Sequence, residues 1–193
     1  SGFSDFFETL FGGGGGFGGP GGGYQQQQPL RPQRIEQDID ISLEEAFGGT
    51  TRTLTRPDGS SFEAKIPAGI QSGAKIRLRG AVNGQDVYLK INVRPHTKYE
   101  LDGQNLRVDI PVDLYTAVLG GQVEVPTIDK SVNLTIPAGT SGGKTIRLRG
   151  LGMPAAGKKD QRGDLYATVN VQLPTDLTDD EKELFEKLRK LRN

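Results

Sequence analysis

The chain has 193 residues, 24 basic against 24 acidic side chains, one histidine and no cysteine. Disulfides, thiolate metal sites and cysteine nucleophiles are excluded, and the balanced charge argues against long-range attraction to nucleic acid or an anionic membrane. No apolar run approaches the length of a bilayer span or a signal peptide, so the sequence reads as a soluble cytoplasmic protein with no metal or other cofactor.

Residues 1–34 form a regime of their own. Phe3, Phe6, Phe7, Leu10, Phe11 and Phe17 stand among glycines, with 10 Gly between positions 12 and 23, followed by Gln25 to Gln28. Ordering so much glycine costs more backbone entropy than a few aromatics return, which predicts a mobile linker. Two readings of its phenylalanines stand, inert spacer or sticky contacts, and Ser4 is placed to cap a short helix with Phe7, Leu10 and Phe11 on one face.

From Ile35 the apolar period becomes two. Ile39 and Ile41 alternate with Asp38 and Asp40, Phe62, Ala64 and Ile66 with Glu63 and Lys65, and Val87, Leu89, Ile91 and Val93 with polar residues. Such alternation predicts half-buried antiparallel strands. Residues 42–47 and 114–119 each run into a Gly-Gly pair, the signal for a short helical turn closed by a left-handed cap.

The chain then says the same thing twice. Ile66-Pro67-Ala68-Gly69 and Ile76-Arg77-Leu78-Arg79-Gly80 return 70 positions later as Ile136-Pro137-Ala138-Gly139 and Ile146-Arg147-Leu148-Arg149-Gly150. The match continues, after an 8-residue insertion in the second copy, from Asp86-Val87-Tyr88 to Asp164-Leu165-Tyr166. A period this long is a domain rather than a solenoid unit. The expected architecture is all-β: a Gly/Phe-rich linker over 1–34, two homologous β-sandwiches or open barrels over 35–105 and 106–176, and a helix over 177–193. In that helix Thr178 and Glu181 form a capping box, Glu183 with Lys187 and Glu186 with Lys190 are i,i+4 pairs, and Leu184, Leu188 and Leu191 line one face. Packing on the second sandwich and a dimer contact are both open to that stripe.

No catalytic constellation appears. His96 has no nucleophile spaced to serve it and reads as a structural histidine. The carboxylates of Glu44-Glu45 and Asp179-Asp180 are adjacent and do not face each other, which suits first-turn dipole stabilisation rather than acid–base chemistry. The glycines lack the strand, helix and lysine of a phosphate loop. Arg77 with Arg79, and Arg147 with Arg149, share the outward face of a strand and read as solvated edge protection. The copies differ most at residues 50–56, a polar β-branched strand interrupted by Leu54 and closed by Pro57-Asp58-Gly59. It reads as an exposed edge, whereas its counterpart Gln122-Val123-Glu124-Val125-Pro126 alternates as core. Leu54 is open to two readings, ordinary core residue or lining of a shallow apolar groove.

The ordered set SDFFETLFGG, SLEEAFGGT, two IPAG turns each followed by RLRG, DVYLKINVRPH, DLYTAVLGGQVEVPT and RGDLYATVNVQLP resembles the DnaJ family of co-chaperones over essentially all of the chain. The resemblance is to the substrate-binding half. The family's His-Pro-Asp triplet is absent, since His96 is followed by Thr97-Lys98, so the chain looks like a fragment that does not stimulate a DnaK-type ATPase unaided. Without the cysteine-rich zinc module it is similar to the zinc-free, CbpA-like class. Asn105 stands where the family usually carries an acidic residue before leucine, a departure that bears on that turn's contacts.

What the resemblance implies is capture of extended apolar segments of unfolded polypeptides beside the second strand of the first sandwich. The implied lining is Ile39, Ile41, Leu54, Phe62 and Leu89, with Arg52 and Arg56 at the rim. It further implies delivery to a DnaK-type chaperone, and a homodimer supported by Leu184, Leu188 and Leu191. No enzymatic activity is expected. The alternative is a nucleic-acid module using the paired arginine strands, against which the zero net charge and the lack of interleaved aromatics count.

Overall fold

The structure is a computed structural model that describes residues 35–55, 59–82 and 84–192; the 1–34 stretch with its candidate helix, and Arg56, lie outside them. The protein is all-β with short helices and a C-terminal helix, and its described residues divide into two compact units. The first runs to Pro95 and takes in Pro154–Lys159; the second comprises His96–Met153 and the residues from Asp160 onward.

In the first unit the alternating stretches become β1 (Ile35–Ile41), β2 (Thr50–Thr55), β3 (Ser61–Ile66), β4 (Lys75–Val82) and β5 (Gln85–Val93), with helix α1 (Leu43–Gly48) after β1. β5 lies between β1 and β4 in a three-stranded sheet, and β2 and β3 form a separate hairpin. The expectation of antiparallel strands needs correcting for β1, which runs parallel to β5 with Ile39 opposite Ile91. A period of two reports which face is buried and carries no information on direction. The direction follows from the long connection through α1, the hairpin and β4, which returns β5 alongside β1 in the same sense. Ile41, Ala46, Ala64, Ile66, Leu89 and Ile91 are fully or almost fully buried and form the core.

The second unit repeats this plan with β7 (Asn105–Asp113), helix α2 (Leu114–Leu119), β8 (Gly121–Pro126), β9 (Ser131–Ile136), β10 (Thr145–Leu148) and β13 (Leu165–Gln172). β7 is again parallel to β13, and an additional strand, β6 (Tyr99–Asp102), extends the sheet beyond β7 to give the order β10-β13-β7-β6. The insertion contributes β11 (Pro154–Ala155) and β12 (Lys158–Arg162). At its base the Gln104 carbonyl accepts the Met153 N–H at 2.8 Å and leaves no room for a Cβ at Gly163, where one would stand 2.1 Å from that oxygen. Asn105 Oδ1 accepts the Asp164 N–H at 2.9 Å, so the amide supplies a side-chain oxygen acceptor at this turn.

Both short helices end on a glycine, Gly49 at φ 78 and Gly120 at φ 83, but their ψ values of 156 and 163 are extended. The caps are therefore not left-handed helical as the Gly-Gly signal suggested: the chain turns straight into β2 or β8. A Cβ at Gly49 would sit 2.9 Å from the Ala68 nitrogen, so close backbone approach as well as the positive φ demands glycine. α3 (Asp179–Arg192) begins with the expected capping box: Glu181 Oε2 accepts the Thr178 N–H at 2.7 Å, and Thr178 Oγ1 accepts the Glu181 N–H at 3.3 Å.

Candidate functional site

The hairpins of the two units can be matched pair by pair. In the first, Arg52 is opposite Ala64 and Leu54 opposite Phe62; in the second, Val123 is opposite Leu134 and Val125 opposite Val132. These pairs lie on the inward face of each hairpin. In the second unit Val125 is 0 % exposed and Leu134 is buried. In the first, Leu54, the match of Val125, is only half-buried, whereas Ala64, the match of Leu134, is buried, and Phe62 and its match Val132 are half-buried alike. The residue types account for the difference: alanine replaces Leu134, removing most of a side chain, and arginine replaces Val123 with a head that does not enter an apolar core unpaired.

Arg52 resolves its charge locally. Its Nη2 lies 2.6 Å from Glu45 Oε1 and donates to Glu45 Oε2 at 2.8 Å. Glu45 is also the third residue of α1, where Oε2 accepts the Ser42 N–H at 2.9 Å while Ser42 Oγ accepts the Glu45 N–H at 3.2 Å. One carboxylate thus caps the helix and anchors the arginine. Arg52 Nε is buried and has no hydrogen-bond partner among the described residues.

The other implied lining residues divide in two. Ile39 is half-buried on the face of β1 that also carries Ile35 and Ile41, whereas its counterpart Ile110 is buried. Ile41 and Leu89 are 0 % exposed and belong to the core beneath the surface. The half-exposed members of the implied lining are therefore Ile39, Leu54 and Phe62, beside a hairpin in which, among the described residues, β2 pairs with β3 alone. Where β2 leaves α1, an open groove of about 480 Å³ is lined by Gly49, Thr51, Lys65, Pro67, Ala68 and Gly157. The Gly157 N–H donates to the Ala68 carbonyl at 3.1 Å. Glu45, Ala64 and Gly157 were not among the site residues expected from the sequence; only the substitution of Leu134 by Ala64 left a signal there, visible once the hairpins are placed in register.

The paired arginine segments have a structural occupation. Among the described residues β4 and β10 are edge strands. Arg77 Nε donates to Asp86 Oδ2 at 2.7 Å, and Asp86 Oδ1 accepts the Gly80 N–H at 3.0 Å. The second copy repeats the device with Arg147, Asp164 and the Gly150 N–H at 2.6 and 2.9 Å. Both carboxyls are held below the ordinary aspartate range, by the glycine N–H first and the arginine hydrogen bond as well. Arg77 and Arg147 thus latch the end of a strand. His96 Nδ1 accepts the N–H groups of Lys98 and Tyr99 at 3.0 and 3.2 Å, a turn-forming role consistent with a structural histidine. Among the described residues no cluster of three or more His, Asp or Glu is arranged to hold a metal ion.

α3 contains no buried residue, and Leu184, Leu188 and Leu191 are all exposed. Tyr115, Val118 and Leu119 of α2 and Leu173 are exposed as well.

Residues 35–174 match the DnaJ C terminal domain family, so the chain belongs to that family. It is 42% identical over 160 residues to the "Chaperone protein DnaJ" of Deinococcus proteolyticus, covering 82% of this chain and 51% of that protein. It is 36% identical over 208 residues to a "Curved DNA-binding protein" of Coxiella burnetii, covering 97% of this chain and 64% of that protein. A "Chaperone protein DnaJ 2" of Synechocystis is 36% identical over 159 residues. The chain therefore spans between about half and about two thirds of the length of these relatives.

Proposed function

We propose that the chain is the client-binding region of a DnaJ-type co-chaperone, and that its first unit captures extended apolar segments of non-native polypeptides. The observation that carries this is the asymmetry of the hairpins: Leu54 remains half-exposed where Val125, its match in the second unit, is 0 % exposed. A client strand added along the edge of β2 that faces away from β3 gains backbone hydrogen bonds there, and every second side chain faces Leu54 and Ile39. The resemblance adds Arg52 and Arg56 to this site; Arg52 is the β2 residue opposite Ala64, and Arg56 lies outside the described residues. Binding needs no cofactor and makes or breaks no covalent bond. Delivery to a DnaK-type chaperone in the cytoplasm belongs to the same reading, as does a homodimer held through Leu184, Leu188 and Leu191. Two weak grooves in one dimer hold a long client by effective concentration.

A nucleic-acid reading takes support from the name of the Coxiella relative. Against it, Arg77 and Arg147 are already engaged by aspartates. A salt titration separates the two: phosphate contacts give a steep loss of affinity with salt, and apolar capture does not. The deciding experiment is aggregation of a thermally unfolded enzyme with and without the chain. Suppression that survives high salt supports the client reading, and absence of suppression together with salt-sensitive DNA binding overturns it.

A further inference from the structure

We infer that the Arg52–Glu45 ion pair is a latch that holds the first unit's groove partly shut, so that client capture competes with it; this rests on the client-binding reading above. Arg52 occupies an inward-facing position of β2, opposite Ala64 and two residues from Leu54, where the second unit carries a valine. The space vacated by the Leu134-to-Ala64 difference therefore lies beneath an arginine stem. Glu45 fixes that stem's head with contacts of 2.6 and 2.8 Å from one guanidinium nitrogen.

Two features mark this state as poised rather than deeply stable. The ion pair is partly solvated, its side chains 41% and 27% exposed, which places it among contacts of small worth that salt weakens. The closed arrangement also leaves Arg52 Nε buried with no acceptor among the described residues, an unmade bond that native interiors rarely tolerate. When the arm swings outward, Nε regains water or meets a carbonyl of the arriving strand, and the surface over Ala64 and Leu54 opens to an apolar side chain. Glu45 keeps its other task throughout, because the cap on α1 uses the Ser42 N–H and not the arginine.

The test uses the full chain and a dye-labelled peptide of alternating leucine and serine, titrated by fluorescence anisotropy from low to high sodium chloride. Glu45→Gln keeps the capping box, which accepts glutamine, but removes the charge that holds Arg52. Glu45→Gln is expected to bind about two- to fivefold more tightly than the wild type at low salt, the worth of a partly exposed ion pair. Wild-type affinity is expected to rise toward that value as salt increases while the variant changes less. Arg52→Met, which keeps the stem without the charge, follows the same pattern and guards against a folding defect in Glu45→Gln. Equal affinities of wild type and both variants at every salt concentration, with Leu54→Ser still impairing capture, overturn the latch and leave the groove standing. An unimpaired Leu54→Ser variant overturns the groove itself.

Discussion

Replacing Leu54 by serine isolates the client contact from the fold. Complete burial of a leucine contributes about 1.5–3 kcal/mol, and Leu54 is half-buried, so about 1 kcal/mol of that is left for a ligand to realise. Leu54→Ser should therefore weaken capture of the leucine–serine peptide by about five- to tenfold. The half already buried against its hairpin partner Phe62 is lost from folding, a further cost of about 1 kcal/mol that a domain of ordinary stability survives. Fluorescence anisotropy reads the first quantity and a thermal melt the second. The control is Leu119→Ser in α2, at a side chain 75% exposed in the other unit, which should change neither. Undiminished affinity in Leu54→Ser, or an equal loss in Leu119→Ser, refutes the assignment to the first unit. Charges placed at Leu89 or Val125 do not test it, since both are 0 % exposed and a charge there unfolds the core.

The strand latches make stability acid-sensitive. The carboxyls of Asp86 and Asp164 lie below their ordinary value in the folded state, so their contribution is complete above the unfolded carboxylate range and is lost as pH falls through the folded values. The melting temperature should drop below about pH 4, and Asp164→Asn should melt lower at neutral pH with a shallower acid slope; an unchanged slope contradicts the latch. Gly69→Ala should destabilise by about 1 kcal/mol or more beyond Gly139→Ala in a denaturant titration. Both glycines have a positive φ, but only at Gly69 would the added Cβ meet backbone, 2.4 Å from the Pro154 oxygen. Truncation after residue 176 should convert dimer to monomer in sedimentation velocity, and an intact chain already monomeric at high concentration contradicts the role given to α3.

The sequence made the strands, the helices and the duplication legible because each is written in local patterns. Period-two alternation located the β-strands, Gly-Gly pairs marked the ends of α1 and α2, and two identical turn motifs exposed the repeat. Strand direction was not legible, since Ile39 faces the same side whether β1 runs parallel or antiparallel to β5. The cap geometry at Gly49 and Gly120 escaped for a related reason: glycine signals a positive φ but leaves ψ to the next element. At the site, Arg52 came only with the family resemblance, whereas Leu54 stood out as an irregularity in a polar strand. Ala64 did not, because an alanine in a strand is unremarkable until its partner in the other copy proves to be leucine. The double use of Glu45 was hidden too, since a first-turn glutamate already has a sufficient reason to be there.

The most direct test of the account is methyl NMR of the full chain titrated with an extended apolar peptide. If the first unit is the client site, the methyl resonances of Ile39 and Leu54 shift together and saturably, and those of Val123, Val125 and Leu134 stay in place. Saturable shifts centred on the second hairpin, with Leu54 unmoved, contradict it.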